Sequence, residues 1–543
     1  MSIQPFVNSK ILIVEEQPLA LSYMKRSLEQ LSFRDMQFAE NSSVAKDLCK
    51  THNFELIICS FDLTHGQDGY QLYEELKHKK LIKKTTAFIF VSAETSPAVV
   101  HSILELNPDE FLVKPFSIKE LKTRIDRVLR RKHALKNIYA LIDDGNDSKA
   151  LKLIDNDLDK QDHAYSPILL KLKGEILLRL RRIDDAKHFY KSALELQKFT
   201  WAKVGLIEAL IINNEDAIAH RMLASMLEQP ETRLVALDLL GRLEIKLNLL
   251  EQAQQRLKEA SIIAPRNIDR QKSLGRVASL NHDYECNYNA MKDIAHFAKN
   301  SIHDGPEVYL NAARAGIDFA LTTDQAELIN RITRQTQQYL GDLKKQFPDA
   351  TNQEQIDVLH ARIHYLKDES KKARQLIEQL DDEPSIRSVD AALDKAKALH
   401  ELGFHSKAQD LFTQITEHCK RHKQVSDPIT MRYIQQQQDE RRDITMGPKE
   451  LNNHAVTQFK KGQLEVAMEA FAQAFRIMPK NPSIALNLLQ CMLDHTGKSG
   501  QTFNSALAKK CYNTLSTMSL DAEQHTRFAK ILSHMQELGL SLD

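Results

Sequence analysis

The sequence predicts two fold classes in one chain, a doubly wound α/β domain followed by an all-α superhelix of stacked helical hairpins. Short apolar runs alternate with amphipathic stretches over residues 9–130, the pattern of a parallel sheet covered by helices. Beyond them, small and large apolar residues recur at fixed helical intervals, which is typical of repeat proteins. The chain has 543 residues, more than a single core of about 250–300 residues accommodates, so several folded units are expected.

The composition is that of an ordinary folded protein without a strong electrostatic field. Hydrophobic residues make up 42% of the chain and charged residues 27%, with 74 Lys and Arg against 73 Asp and Glu. Because a near-neutral chain does not attract nucleic acid or anionic lipid over long range, we expect protein partners and no nucleic acid. The cluster Arg127, Arg130, Arg131 and Lys132 is interpreted as a solvated helix face, the alternative being a phosphate-binding patch.

The sequence shows neither a targeting segment nor a disulfide framework. No apolar run approaches the roughly 20 residues that cross a bilayer, and the first residues lack the regions of a signal peptide. We therefore expect a cytoplasmic protein without membrane insertion. The six cysteines stand apart from one another without a CxxC pair, so they are predicted to be reduced thiols.

The α/β domain is predicted to span residues 9–132. Its strands are expected in the segments KILIVEE, MQFAE, FELIICS, TAFIFVSA and DEFLVKPF. In a parallel sheet of this kind, ligands bind at the carboxyl ends of the strands, near the switch point in strand order. The polar residues that end these segments are therefore the candidate functional residues.

Four of these strand ends resemble one protein family in both order and spacing. ILIVEEQ, LIICSFDLTHGQDG, VSA and FLVKPFS resemble the response regulator receiver domains. The resemblance implies a flavodoxin-like fold in which an acidic pair and an aspartate hold Mg²⁺, and that aspartate accepts a phosphoryl group from a histidine kinase. A hydroxyl and a lysine contact the phosphoryl oxygens, and an aromatic side chain switches position. The matching residues are the acidic pair Glu15 and Glu16, the hydroxyl Ser92, the Lys114–Pro115 dipeptide and the switch aromatic Phe111.

The phosphoacceptor aspartate of that family has no direct counterpart in this sequence. Alignment of the third strand puts Ser60 at the acceptor position, whereas counting back from Gly69 without a gap gives Phe61. We prefer Ser60, since Phe61 would put a bulky apolar group in a polar site. The nearest carboxylate, Asp62, is expected roughly 6–7 Å further along the strand, too far to share a metal with the acidic pair unless the loop bends back.

A hydroxyl in place of the central carboxylate changes the chemistry that is expected at this site. A serine cannot form an acyl phosphate, and the loss of one negative charge weakens a site for a hard cation. We expect a domain that does not undergo ordinary phosphotransfer, with no cofactor and at most weak Mg²⁺ binding at Glu15 and Glu16. The alternative is a phosphorylation-competent response regulator that uses Asp62, with the helical array as its output.

Residues 133–426 are predicted to form that helical array. Gly241 is followed by Ala253, Ala260 and Pro265 at offsets of 12, 19 and 24, a frame that resembles the tetratricopeptide repeat. In such a hairpin, small residues allow two helices to cross closely, and stacking buries the face that one hairpin leaves open. The alternative is generic packing of a helical bundle. The frame predicts successive second-helix alanines at Ala150, Ala186, Ala217, Ala253 and Ala290.

A further helical unit of the same kind is predicted for residues 450–543, where the frame returns at Ala455 and Ala467. Between it and the array, residues 427–449 are rich in Gln and charged residues and lack aliphatic periodicity. We predict a linker or a solvent-exposed helix there.

No catalytic motif accompanies the array. Residues 133–543 contain no Gly-rich phosphate loop, no GxSxG and no HExxH, so enzymatic activity is not expected. The resemblance to receiver domains and to tetratricopeptide repeats then implies a signal-transduction adaptor of a bacterial two-component network. In this interpretation the repeat groove and the receiver surface both bind proteins.

Overall fold

The computed structural model describes residues 6–160, 164–323, 325–350, 352–380, 386–422, 428–499, 503–518 and 520–540. The chain divides into two units. The first unit comprises Met1–Arg270 and Phe297–Asp304, and the second comprises Gln271–His296 and Gly305–Asp543. The predicted boundaries at residues 132 and 426 concern smaller segments than these units and stay predictions.

The N-terminal domain is built on a parallel sheet. The described residues form the strands β1 (Ile11–Val14), β2 (Met36–Ala39), β3 (Leu56–Ser60), β4 (Ala87–Ser92) and β5 (Glu110–Val113). Their order in the sheet is β2-β1-β3-β4-β5, and every neighbouring pair is parallel. The helices that cover the sheet are α1 (Pro18–Gln30), α2 (Ser42–Thr51), α3 (Gly69–His78), α4 (Pro97–Glu105) and α5 (Ile118–Ala134). This topology confirms the predicted doubly wound, flavodoxin-like α/β domain.

Alternate residues of the central strands enter two separate cores. Leu12 and Val14 of β1 belong to a cluster with residues of α2, α3 and α4. Ile11 and Ile13 belong to a second cluster, with residues of α1 and α5. Because helices cover both faces, the strands consist of continuous apolar runs, and polar side chains collect at the carboxyl edge of the sheet.

In the described residues beyond Ala134, all regular structure is helical. The first unit continues with α6 (Lys136–Asp143), α7 (Asp147–Leu158), α8 (Ser166–Arg179), α9 (Ile183–Leu196), α10 (Thr200–Ile212), α11 (Asp216–Ala224), α12 (Pro230–Lys246) and α13 (Leu250–Ile263). The chain then forms α14 (Ile268–Leu280), α15 (Tyr284–Ala298), α16 (Pro306–Ala320), α17 (Ala326–Gln346), α18 (Gln353–Leu366), α19 (Ser370–Glu378), α20 (Val389–Glu401) and α21 (His405–Arg421). The last helices are α22 (Pro428–Arg442), α23 (Pro448–Lys460), α24 (Leu464–Ile477), α25 (Pro482–Ser499), α26 (Ser505–Thr517) and α27 (Ala522–Glu537). Within this described part of the chain, no helix is long and apolar enough to cross a membrane.

Eight helix pairs in the described residues are joined by the same tight turn. Each turn contains one residue with a positive φ, between 55° and 87°, and the residue five positions later is buried in the second helix. The N–H group after the turn residue bonds back to the first helix, as in Leu249 N to Glu244 O at 2.8 Å, and so satisfies a terminal carbonyl. The turn residues are Gly145, Arg181, Asn214, Asn248, His282, Asp368, Gly403 and Gly462. The buried residues are Ala150, Ala186, Ala219, Ala253, Asn287, Ala373, Ala408 and Ala467.

Two of the predicted second-helix positions differ from the structure. Ala217 is exposed, and Ala219 takes the buried position, because the turn at Asn214 sets the start of the helix. Ala290 is buried, but Asn287 is the residue five positions after its turn. With these corrections the first five positions lie 36, 33, 34 and 34 residues apart, more regularly than the sequence frame indicated.

Consecutive hairpins pack closely enough to require glycine at two positions. Gly174 in α8 and Gly205 in α10 both face the ring of Tyr190 in α9. A Cβ atom added at Gly174 would lie 2.5 Å from that side chain, and one added at Gly205 would lie 2.1 Å from it. Tyr190 is 2% exposed, so its ring fills the space between the helices on either side.

The segment predicted as a linker or exposed helix contains a packed helix instead. Helix α22 spans Pro428–Arg442, while residue 427 lies outside the described residues. Most of its buried side chains are polar, so their helical spacing is not visible in the distribution of aliphatic residues. The buried side chains are Thr430, Tyr433, Ile434, Gln437, Glu440 and Arg441.

Candidate functional site

The carboxyl edge of the sheet brings the predicted site residues together. Val14 pairs with Cys59, and Ser60 pairs with Val91, so the ends of β1, β3 and β4 lie side by side. Glu15 and Glu16 follow β1, Ser60 ends β3 and Ser92 ends β4. These are the strand ends from which the sequence predicted a site.

Lys114 crosses this edge and neutralises Glu15. Its Nζ atom lies 2.7 Å from Oε2 of Glu15 and 3.3 Å from Oγ of Ser60. The other carboxylate oxygen of Glu15 accepts a hydrogen bond from the backbone N–H of Gln17 at 3.0 Å. Glu15 is 5% exposed and Ser60 is 2% exposed, so the two groups that Lys114 contacts are largely shielded from water. Both oxygens of Glu15 therefore have protein partners.

Ser60 and Phe61 point in opposite directions, as successive strand residues do. The Ser60 hydroxyl accepts from Lys114, whereas the Phe61 ring is buried in the core that includes α2, α3 and α4. The Phe61 N–H continues the sheet ladder by bonding to Val91 O at 2.9 Å. Of the two positions that the sequence left open, Ser60 is the one that faces Lys114.

Glu16 is held by the loop that follows β3. Its carboxylate accepts hydrogen bonds from the backbone N–H of Thr64, at 2.6 Å, and from the Thr64 hydroxyl, and it contacts His65 Nδ1 at 2.6 Å. The side-chain and backbone hydrogen bonds from Thr64 lower the pKa of Glu16 to about 2. Glu16 therefore remains ionised, with its oxygens engaged by the loop.

Asp62 lies beside Ser92. The Ser92 hydroxyl donates to Oδ2 of Asp62 at 3.1 Å and accepts from the backbone N–H of Glu94 at 2.9 Å. The loop therefore turns the Asp62 carboxylate back toward the end of β4, which the strand geometry alone did not indicate. The Asp62 carboxylate accepts from a hydroxyl, while Lys114 contacts Glu15 and Ser60.

The aromatic position on β5 is partly buried. Phe111 packs against the core cluster that contains Phe88, Phe90 and Ile103. Val113, two residues further along β5, is 41% exposed. The Phe111 ring is thus turned toward the domain interior.

The arrangement of side chains at this edge does not fit a Mg²⁺ ion. Magnesium requires near-octahedral oxygen ligands with carboxylate among them. Here the Glu15 carboxylate is bonded to Lys114, and the Glu16 carboxylate is bonded to Thr64 and His65. Ser60 supplies only a hydroxyl. Across the residues that the structure describes, no group of three or more His, Cys, Asp or Glu side chains is placed to hold a metal.

This domain matches a known family over nearly its whole length. The match to the response regulator receiver domain covers residues 11–126. Residues 11–126 are a receiver domain. Its parallel sheet and the polar carboxyl edge described above agree with that match.

Bacterial signalling proteins are similar to the region that contains the receiver domain. Transcriptional activator protein IrlR of Burkholderia pseudomallei is 27% identical over 186 residues, 31% of this chain and 74% of that protein. Chemotaxis protein CheY-3 of Vibrio cholerae is 23% identical over 124 residues, 23% of this chain and 94% of that protein. Among solved structures, the signal receiver domain of a signal transduction histidine kinase from Syntrophus aciditrophicus covers 22% of this chain and 90% of its own, with 28% identity and a TM-score of 0.21. The family match supports a role in signalling.

The receiver domain makes ion pairs, cation–π contacts and hydrogen bonds with the helices of its own unit, which the sequence did not predict. Arg266, just before α14, bonds to Asp68 at the start of α3. Its guanidinium also lies 5.0 Å from the ring centroid of Phe61, 5.4 Å from that of Tyr70 and 5.6 Å from that of Phe297. Cation–π contacts of this kind strengthen when they are desolvated.

Arg270 makes a second connection, at the end of α4. It bridges Glu105 of the receiver domain and Asp238 of α12, and its side chain is 2% exposed. Burial raises the pKa of Glu105, although Arg270 opposes this effect. The Gln71 side chain adds hydrogen bonds to the carbonyls of Phe297 and Lys299, at 3.0 and 2.9 Å. The α3 and α4 side of the receiver domain is thus bound to the helical region.

The basic cluster at the end of α5 is engaged within the domain. Arg127 pairs with Glu110, Arg130 with Asp126, and both Arg131 and Lys132 with Asp109. The sequence predicted a solvated helix face, but the Arg131 and Lys132 side chains are only 22% and 13% exposed.

Proposed function

We propose that the protein is a signal-transduction adaptor in a bacterial two-component network, with a receiver domain that does not accept phosphate. The observation that carries this proposal is the position of Lys114, between Glu15 and the hydroxyl of Ser60. An acyl phosphate requires a carboxylate at the acceptor position, and the residue that faces Lys114 is a serine. The receiver domain then needs no cofactor, and Mg²⁺ binds weakly or not at all.

The second part of the proposal concerns the helical region, which we assign to tetratricopeptide-like repeats. The support is the recurring turn with a buried residue five positions later, at intervals of 33 to 36 residues from Ala150 to Asn287. Stacked hairpins of this type offer a groove lined by their first helices, and they bind peptides or helices of other proteins. The array accordingly binds protein partners in the cytoplasm and performs no catalysis.

The receiver domain acts in this scheme as a fixed surface. A ligand shifts a two-state equilibrium only by its differential affinity for the two states, and phosphotransfer supplies none if no acyl phosphate forms. The contacts of Arg266 and Arg270 with α3 and α4 give the domain a further reason to stay in one arrangement.

A second candidate function is a phosphorylation-competent response regulator that uses Asp62. The specific observation that favours it is the hydrogen bond from Ser92 to Asp62, which brings a carboxylate beside the predicted phosphoryl-binding hydroxyl. In this alternative, phosphorylation would break that bond and free Ser92. The array would then be the output of the switch.

Acetyl phosphate labelling distinguishes the two functions. The parent chain is incubated with acetyl phosphate and Mg²⁺, and residues 9–130 are tested for a hydroxylamine-sensitive phosphoryl group. The adaptor predicts no such group in the parent chain or in an Asp62→Asn variant. Labelling of the parent that is lost in Asp62→Asn would establish the alternative.

A further inference from the structure

Helix α22 contacts the first helices of two hairpins in the second unit, α14 and α20. The Tyr433 hydroxyl accepts a hydrogen bond from Lys397 of α20 at 2.8 Å, and Arg276 of α14 lies 5.5 Å from the Tyr433 ring centroid. Gln436 donates to the carbonyl of Leu280 at the end of α14, at 3.2 Å. The residues it contacts are up to 158 positions earlier in the chain, so α22 is packed by tertiary contacts and not by its neighbours alone.

The first helices form a continuous surface beneath α22. Helix α16 packs on α18, and α18 packs on α20. Arg276 of α14 and Asn311 of α16 both bond to Asp390 at the start of α20, at 2.8 and 3.3 Å. In a stack of hairpins the first helices line the inner groove, and α22 therefore occupies that groove.

The floor of the groove is ionic. Arg362 of α18 is 1% exposed and bonds to Asp318, Asp394 and Glu401. Lys397 bonds to Asp318 at 2.6 Å. Burial raises the pKa of Asp318, but the charges of Lys397 and Arg362 outweigh it and bring the value down to about 2. These ion pairs satisfy the buried charges, and Lys397 also donates a hydrogen bond to the Tyr433 hydroxyl of α22, so a helix that covers this floor must offer an acceptor there.

Helix α22 offers polar groups to the array at two positions, seven residues apart. Tyr433 offers its phenol to Lys397, and Glu440 contacts His282 Nε2 at 2.6 Å. Between them, Gln437 is fully buried and bonds to Glu440 at 3.2 Å. Seven residues are two helical turns, so Tyr433 and Glu440 are on the same face of α22. The aliphatic side chain that this face buries is Ile434.

We propose that α22 is an internal ligand of the array, which a partner protein displaces with a helix that carries a phenol and a carboxylate seven residues apart. The proposal rests on the proposed function, since it assumes that the groove binds proteins. The polar character of the contact favours exchange of α22 for a helix of the partner, because the partner helix recovers the same hydrogen bonds. A large apolar face on α22 would instead hold it in the groove. A partner that lacks a phenol and a carboxylate at this spacing then cannot displace α22 from the groove.

The test uses the full chain and a fluorescent synthetic peptide of residues 428–442. The double variant Tyr433→Phe/Glu440→Gln weakens the internal helix and keeps its size, and Gln435→Ala, on the exposed face of α22, is the matched control. Because the internal copy competes as a tethered ligand, the peptide should bind the double variant about ten-fold or more tightly than the parent or the control. A peptide with the same two substitutions should not bind. Equal affinity for parent and double variant, or binding of the substituted peptide, would overturn the proposal.

A second measurement needs no substitution. Hydrogen exchange of the parent chain should show the amides of α22 opening together, about ten-fold or more faster than those of α20. Equal protection of the two helices would mean that α22 does not leave the groove and would also overturn the proposal. Failure here leaves the adaptor role standing, because the acetyl phosphate assay tests that role without any movement of α22.

Discussion

The Nζ atom of Lys114 lies 2.7 Å from Oε2 of Glu15, and this ion pair closes the carboxyl edge of the receiver sheet. Side-chain exposures of 24% for Lys114 and 7% for Glu15 place the pair at the boundary between core and solvent. In a pair this shielded, each charge depends on the other. Lys114 therefore neutralises the charge of Glu15 within the protein.

Removal of one member of this pair should cost more stability than removal of both. Lys114→Met leaves Glu15 with an unpaired charge and should lower the free energy of unfolding of the domain by about 1–3 kcal/mol. The double variant Lys114→Met/Glu15→Gln should recover most of that loss. Hydrogen exchange of the β1 amides measures both values. Additive losses in the double variant would show that the two side chains are not coupled.

The corrected repeat positions give a paired test in α11. Ala219→Leu should cost about 1–3 kcal/mol, because the added methylenes have no room where the helices cross. Ala217→Leu, two residues earlier and exposed, should change stability by less than about 0.5 kcal/mol. Thermal and urea unfolding of the two variants compare the positions directly. A destabilised Ala217→Leu with an unaffected Ala219→Leu would restore the frame predicted from the sequence.

The connection between the receiver domain and the helices of its unit depends on Arg270. Arg270→Met leaves Glu105 and Asp238 without their common partner, and loss of one member of a buried ion pair costs about 3 kcal/mol. We expect faster hydrogen exchange in α4, with the core strands unaffected. Arg233→Met is the matched control, because Arg233 forms an exposed pair with Glu259. Unchanged exchange in α4 of the Arg270 variant would contradict the assigned role.

The second unit should lose stability in mild acid because of His400. Burial, together with the nearby charge of Arg441, lowers the pKa of His400 to about 3, and its Nε2 donates to Ile444 O at 2.9 Å. Below about pH 6.5 the unfolded chain binds a proton that the folded chain does not, so stability is full above that pH and falls as the pH decreases toward 3. Between pH 7 and 5.5 the loss should be about 1 kcal/mol.

The variant His400→Gln keeps a donor for Ile444 and removes the titrating ring. Its free energy of unfolding should therefore change less between pH 7 and 5.5 than that of the parent. Urea unfolding at the two pH values, followed by hydrogen exchange in α20, measures the difference. The same pH dependence in parent and variant would assign the effect to other groups.

The sheet could be predicted from sequence because its strands are buried on both faces and consist of apolar runs. The predicted polar strand ends also lie together, since the carboxyl ends of parallel strands share one edge. The partners of Glu16 and Asp62 could not be predicted, because they depend on the path of the loop after β3. Strand spacing gave the distance of Asp62 along an extended chain, whereas the loop turns its carboxylate toward Ser92.

Prediction of the helical region from sequence had a different limit. The position of Ala219 had a signal in the sequence: Asn214 lies five residues earlier, and asparagine is among the residues that most readily adopt the left-handed conformation of the turn. Helix α22 had no comparable signal, because its buried face is polar and matches an ionic surface assembled from distant residues. Periodicity of aliphatic residues detects a helix that packs on an apolar core, not one that packs on charges.

The most direct test of the adaptor is titration of the parent chain and a Ser60→Asp variant with Mg²⁺ and beryllofluoride, which mimics the acyl phosphate. Isothermal titration calorimetry should detect no binding by the parent, because Lys114 faces a hydroxyl and both acidic residues have protein partners. Ser60→Asp should restore Mg²⁺-dependent binding by supplying the third carboxylate. Comparable binding by the parent would mean that Asp62 or a rearranged loop completes the site, and it would contradict the proposal of a receiver domain that cannot be phosphorylated.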